Sequence, residues 1–189
     1  ATAPSDAGVP HGDILSGAAF ATQPVVEARD ATGVVDDDYT ASALATLATG
    51  PGALMGSAQV TAVQGVARYN DLGYTATADQ ESFALQFAEA GLTAPMAVST
   101  AVLTADVVGN QLILTTPPGD DGAAHGDVVS GQAFVRQPVL AAADGDNSRD
   151  TDYTSMVTAT LVTGDGTLNG AADISAVAGL VTFPDLQYD

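Results

Sequence analysis

Glu81-Ser82-Phe83-Ala84-Leu85-Gln86-Phe87-Ala88-Glu89-Ala90-Gly91 is the stretch on which the fold class turns. Glu, Ala, Leu and Gln all favour a helix, so composition alone would allow a short one here. The large apolar side chains, however, fall at 83, 85 and 87, a period of two that puts all three on one face of a strand. A helix would scatter them around its axis. The same alternation runs through Ser155-Met156-Val157-Thr158-Ala159-Thr160-Leu161, with Val157, Ala159 and Leu161 on one face and the threonines largely on the other. Elsewhere, runs rich in Val, Thr, Ala and aromatics are divided at short intervals by clusters of Gly, Pro and Asp. That spacing predicts an all-β chain of the sandwich type. Strands are expected near 20–29, 39–48, 58–63, 65–70, 81–88 and 97–107, and again near 111–116, 134–142, 153–162, 172–177 and 179–183. Gly50-Pro51-Gly52 and Gly164-Asp165-Gly166 read as turns, and Pro117-Pro118 as the end or kink of an edge strand.

The chain is an internal repeat. His11-Gly12-Asp13 recurs as His125-Gly126-Asp127, an offset of 114 residues. At that offset Phe20 meets Phe134, Gln23-Pro24-Val25 meets Gln137-Pro138-Val139, and Asp38-Tyr39-Thr40 meets Asp152-Tyr153-Thr154. Ala45-Thr46-Leu47 meets Ala159-Thr160-Leu161, and Asp71-Leu72 with Tyr74 meets Asp185-Leu186 with Tyr188. No gap is needed from position 11 to 75, so this is a tandem duplication. The expected domains are 1–109 and 110–189, the second lacking any counterpart of 76–114. Three origins fit that arithmetic: a fragment, a repeating piece of a larger assembly, or a subunit that borrows strands from a neighbour.

Charge excludes several functions. The 189 residues carry 23 Asp and Glu against four cations, all arginine (Arg29, Arg68, Arg136, Arg149), for a formal net charge of −19. A chain that tracks phosphates needs a basic face, and none exists here, so no nucleic-acid partner is expected. No apolar run reaches the length that crosses a bilayer, and no insertion of this segment is expected. Zero cysteines exclude a disulfide framework and a thiolate metal site, and the lack of lysine excludes a Lys–Asn isopeptide crosslink. Hydrophobic residues at 46% are too many for a disordered acidic tail. With many Ala and Val, five Phe and no Trp, each buried residue removes little area from water, which raises the importance of interfaces between units.

Polar clusters offer two kinds of chemistry. Asp30, Asp36 and Asp38 lie in the turn after the expected second strand of the first copy, and Asp144, Asp146, Asp150 and Asp152 in its counterpart. Calcium takes six to eight oxygens, so closely spaced carboxylates on one turn make these seven residues candidate calcium ligands. The spacing is not that of an EF-hand, and aspartates that cap their own backbone amides are the competing explanation. Asp6, Asp13, Asp120, Asp121 and Asp127 could join such a site. His11 and His125 each stand alone, without the second His or Cys of a zinc shell. Ser16 and Ser130 follow them in Gly-rich loops without a nucleophile elbow, so no catalytic residue and no enzyme activity is expected. Tyr39, Tyr74, Tyr153 and Tyr188 sit at equivalent positions, which points to packing ahead of carbohydrate stacking.

The order Leu112-Ile113-Leu114-Thr115-Thr116-Pro117-Pro118, then Phe134 with Gln137-Pro138-Val139 and an Asp-rich turn, resembles bacterial immunoglobulin-like surface repeats of the invasin and intimin type. Thr160-Leu161, Thr163-Gly164, Gly166, Leu168 and Gly170, followed by Ala176-Val177, Gly179, Val181, Phe183 and Asp185-Leu186, is similar to the same family. The resemblance implies tandem immunoglobulin-like β-sandwiches strung in an extracellular array, each beginning near Asn110–Leu112. The expected role is a non-enzymatic structural module of a bacterial stalk, filament or surface layer, whose partners are neighbouring repeats or copies of itself. Two rivals stay open at this point: an adhesin or carbohydrate-binding module, and a filament subunit completed by strand exchange.

Overall fold

The computed structural model describes residues 2–7, 11–90, 97–120 and 127–189, in two compact units, Ala1–Val107 and Val108–Asp189. The described residues form strands and turns with no helix, so the chain is all-β. The first unit contains β1 (Ile14–Leu15), β2 (Ala18–Ala19), β3 (Val25–Glu27), β4 (Ser42–Thr49), β5 (Ala53–Met55), β6 (Gln59–Thr61), β7 (Val66–Arg68), β8 (Gly73–Thr75), β9 (Glu81–Glu89), β10 (Ala97–Ser99) and β11 (Leu103–Asp106). The second contains β12 (Gln111–Thr116), β13 (Val139–Ala143), β14 (Met156–Thr158), β15 (Leu168–Asn169), β16 (Asp173–Ser175), β17 (Leu180–Thr182) and β18 (Gln187–Tyr188).

β9 organises the first unit. On one edge it pairs antiparallel with β4 from Ala43↔Glu89 to Thr49↔Ala84, and β4 in turn pairs with β6. Its other edge is shared by β10, opposite Gln86–Ala88, and β11, opposite Glu81–Phe83. β1 adds to β11 in parallel. Two smaller sheets, β2-β8-β5 and β3-β7, supply the remaining strands. Phe83, Leu85 and Phe87 are all buried, in one core cluster with Ile14, Phe20, Tyr69, Leu72 and Tyr74. Burial of each such side chain contributes about 1.5–3 kcal/mol, which is why the period-two pattern prevails over helix propensity in this stretch.

The expected strand 97–107 divides in two at Thr100. There the Thr100 amide donates to the Leu85 carbonyl (2.9 Å), while the Leu85 amide is received by the Thr100 hydroxyl (3.0 Å). A side chain stands in for one rung of the ladder, and the chain bulges outward through exposed Val102. The segment expected at 20–29 contributes only β3; ahead of it the Gln23 side chain donates to the Phe20 carbonyl, and Pro24 has no amide to give to a ladder. Most telling is 153–162, expected as one strand and present only as β14. Its counterpart β4 runs for eight residues and pairs with β6 and β9, whereas β14 pairs with β16.

The second unit has the sheet β12-β13-β17 and the pairs β14-β16 and β15-β18. Register follows the repeat: Met156↔Ser175 and Val157↔Ile174 match Ser42↔Thr61 and Ala43↔Val60. Its core gathers Phe134, Ala176, Val181, Phe183 and Leu186.

Gly56 and Gly170 are positions where the repeat tolerates nothing else. Both have positive φ, +78° and +94°, and a Cβ there would lie 1.9 Å from the Asp71 carbonyl oxygen and 2.3 Å from that of Asp185. Gly33 also has positive φ, +89°, but open space around it. Gly33→Ala should therefore cost only the left-handed backbone penalty, about 1–2 kcal/mol in urea denaturation. Gly56→Ala should cost clearly more, since backbone must move; equal losses would show that the turn is not packed as described.

Candidate functional site

The duplicated polar side chains come first, because the structure gives them one use. Gln23 donates from Nε2 to the carbonyls of Phe20 (2.7 Å) and Leu72 (3.0 Å) and accepts the Leu72 amide at Oε1 (3.1 Å). Gln137 repeats this with Phe134 and Leu186, at 3.0, 3.0 and 2.9 Å. Asp6 receives the amides of Leu15 and Ala21, and Asp120 those of Val129 and Val135. Asp71 holds Ser57 through its amide and hydroxyl, and Asp185 holds the amide of Ala171. In each case a side chain satisfies backbone donors that the short strands leave without ladder partners. The recurrence of Gln-Pro-Val between apolar runs is the sequence signal for the glutamine clamp.

The candidate calcium ligands are distributed unevenly. Asp30 receives the Thr32 amide (2.9 Å), the Thr32 hydroxyl (2.7 Å) and the Val34 amide (2.9 Å) on one oxygen. These bonds, the Thr32 hydroxyl foremost, hold its carboxyl below the usual carboxylate range. Asp144 does the same for the amides of Asp146 (3.0 Å) and Ser148 (2.9 Å). Asp150, only 5% exposed, receives Asp152 (3.1 Å) and Tyr153 (2.8 Å) on one oxygen and Gly109 (2.7 Å) on the other. Asp36, Asp38 and Asp146 are exposed, and Asp152 is half-buried. Within either unit taken by itself, no three described His, Asp or Glu residues bring ligand atoms within 4.8 Å of one another. Asp30, Asp144 and Asp150 thus act first as turn caps.

The remaining candidates are placed as follows. His11 is exposed, and its amide donates to Asp106 (3.2 Å). His125, Gly126 and Asp121 lie outside the described residues. Ser16 is buried, its hydroxyl receiving the Ala76 amide (2.9 Å), which leaves it in a structural role. Asp13 receives the Thr104 amide (2.8 Å), and Asp127 is exposed.

Two buried acids escaped the sequence reading, Glu81 and Asp106. Glu81 lies on the inward face of β9, in phase with Phe83, and its carboxylate takes the Tyr74 hydroxyl, the Gly52 amide (3.1 Å) and the Thr77 amide (2.9 Å) and hydroxyl. Burial works against its charge, but these hydrogen bonds outweigh burial and hold the carboxyl below its ordinary value. The Tyr74 ring stacks on Phe83 with centroids 3.8 Å apart and planes 5° from parallel. Burial, then the Glu81 carboxylate, pushes the Tyr74 hydroxyl up to about 12.

A groove of about 220 Å³ opens in the first unit, lined largely by small apolar side chains such as Ala43, Ala62, Ala67 and Ala88. Tyr39, Glu27, Arg29 and Glu89 also line it, with no His, Cys, Ser, Thr or Lys among the lining residues. Arg29 is engaged by Glu27 (2.9 Å from Nε). No protein-family model, no curated protein and no solved structure matches the chain.

The Tyr74 hydroxyl ionises at its ordinary 10.0 when unfolded and near 12 when folded, as does Tyr69, whose hydroxyl burial also raises to about 12. Stability should hold below pH 10 and fall as pH rises from there toward 12, with unfolding and tyrosinate absorbance changing together. The depressed Glu81 acts with the opposite sign: its contribution is present above its ordinary 4.5 and is lost as pH falls through its lower folded value. Separately, Asp150→Ala leaves backbone amides without an acceptor and should cost about 2–3 kcal/mol in chemical denaturation. The loss should be the same with calcium or with chelator present.

Proposed function

We propose that this chain is a non-enzymatic structural module: tandem immunoglobulin-like β-sandwiches in an extracellular bacterial stalk, filament or surface layer, with neighbouring repeats or further copies of itself as partners. The observation that carries this reading is the identical use of duplicated polar residues. Asp6 and Asp120, Gln23 and Gln137, Asp30 and Asp144, and Asp71 and Asp185 bind equivalent backbone groups in the two units. Tyr74 and Tyr188 both receive a glycine amide at 3.0 Å, from Gly52 and Gly166. What the duplication copied is a means of holding strands at fixed spacing.

Such a module works by geometry. Each unit contributes a set length, its side-chain clamps resist shear between short strands, and a net charge of −19 keeps neighbouring surfaces apart. High ionic strength screens that self-repulsion, which suits a saline exterior. Pulling single chains by their ends tests the reading. The first unit, Ala1–Val107, should give a discrete rupture whose contour gain is its extended length, at most about 35–39 nm, less the folded end-to-end span. Extension without any rupture would refute a mechanical role.

A further inference from the structure

Asn169-Gly170 is the one Asn-Gly pair in the sequence; the other asparagines, Asn70, Asn110 and Asn147, precede Asp71, Gln111 and Ser148. A backbone amide nitrogen that follows asparagine can attack the side-chain carbonyl carbon, and a glycine leaves that approach uncrowded. The fold separates the four sites further. The Ser148 amide is held by Asp144 Oδ1 (2.9 Å), and Gln111 lies in β12 in register with Ala143. Gly170 is exposed and lies outside any strand, and its amide has no hydrogen-bond acceptor among the described residues.

The fold demands the glycine and not the asparagine. A Cβ at Gly170 would lie 2.3 Å from the Asp185 carbonyl oxygen, and one at Gly56 would lie 1.9 Å from that of Asp71. Both glycines have positive φ and both are exposed, so the openness of this turn recurs in the unit that contains β9. Asparagine, by contrast, stands where the first unit has Met55. Both side chains reach the same place on the partner strand. The Thr75 hydroxyl donates to Met55 Sδ at 3.9 Å, and Asn169 Nδ2 donates to Asp189 Oδ2 at 2.6 Å. The contact that joins β5 to β8 through a thioether joins β15 to β18 through a carboxamide.

We propose that Asn169 is a site of spontaneous deamidation and isoaspartate formation, which breaks this cross-strand contact in the second unit alone. The Gly170 amide nitrogen bonds to Asn169 Cγ, the Cγ–Nδ2 bond breaks, and ammonia leaves with the proton that the Gly170 amide gives up. Water then opens the cyclic imide at either carbonyl. One product is aspartate; the other is isoaspartate, in which the main chain runs through Cγ. Either product sets a carboxylate against Asp189, on the diagonal of the Asn169↔Gln187 pair, where like charges repel. Isoaspartate also lengthens the main chain by a methylene, which upsets the alternation of faces along β15. The pairing of β15 with β18 loosens, while Met55 leaves the pairing of β5 with β8 nothing that can react in this way.

The test incubates the intact, folded chain in mildly alkaline buffer and follows it by peptide mapping with mass spectrometry, an isoaspartate-specific methyltransferase reporting the isomerised product. Asn169 should exchange NH2 for OH at about ten times the rate of Asn70, Asn110 and Asn147 or faster, a barrier lower by at least about 1.4 kcal/mol. In the modified fraction, amide exchange by NMR should speed up at Thr167 and Asp189, whose amides donate to each other's carbonyls at 2.8 and 3.0 Å. Exchange from Ala53 to Met55 should not change. Asn169→Asp should show the faster exchange at Thr167 from the start. The double variant Asn169→Met with Asp189→Thr, which installs the first unit's own pair, should keep its protection throughout the incubation. Three results would overturn the proposal: Asn169 reacting no faster than the other asparagines, unchanged exchange at Thr167 in the modified fraction, or the same loss of protection in the double variant.

Discussion

A strand that is apolar on one face and hydrogen-bonding along both edges imposes three demands at once, and β9 of the first unit meets all of them. Its edges are occupied by β4 on one side and by β10 and β11 on the other. Its inward face carries Phe83, Leu85 and Phe87 into the core, beside Tyr69 and Tyr74. The Glu81 side chain then ties the start of the strand to Tyr74, Gly52 and Thr77. Remove β9 and β4 loses a ladder, Tyr74 its stacking partner and the core its largest side chains. In the second unit β14 runs from Met156 to Thr158 and Tyr188 is half-buried.

The clamps compensate for a core built from small side chains. Ala and Val remove little surface from water, so short strands with incomplete ladders would leave backbone donors unmet. Aspartate and glutamine side chains meet them, and they recur at the same offset as the strands. This gives a physical reason for much of the acidity. Many of the carboxylates that look, in sequence, like a pool of cation ligands are already receiving amides. Asp30, with three donors on one oxygen, is the clearest case. Acidity here serves two ends, internal hydrogen bonding and external repulsion, and the first limits how many carboxylates remain for anything else.

The all-β class, the repeat and its register could be read directly, because each rests on local periodicity or on matching letters. Glu81 could have been read as well: with Phe83, Leu85 and Phe87 facing inward, parity alone puts residue 81 on the buried face. Other features were not local. Nothing in Ala97–Asp106 announces that Thr100 will substitute its hydroxyl for a ladder rung, since that depends on Leu85 across the sheet. Nothing in Ser155–Leu161 announces that its strand stops at Thr158, since the pairing it makes is with Asp173–Ser175 elsewhere in the chain. The acidic turns were legible as turns, but which oxygen of Asp150 would reach Gly109 required the chain path between them.

β12 pairs with β13 from Gln111↔Ala143 to Thr116↔Val139, covering that edge of the second unit. Thr2 stands at the repeat offset from Thr116, and the isolated bridge Thr2↔Val25 reproduces the Thr116↔Val139 pair in the first unit. Register at this edge therefore belongs to the repeated residues themselves, as it does where Val25↔Arg68 matches Val139↔Thr182.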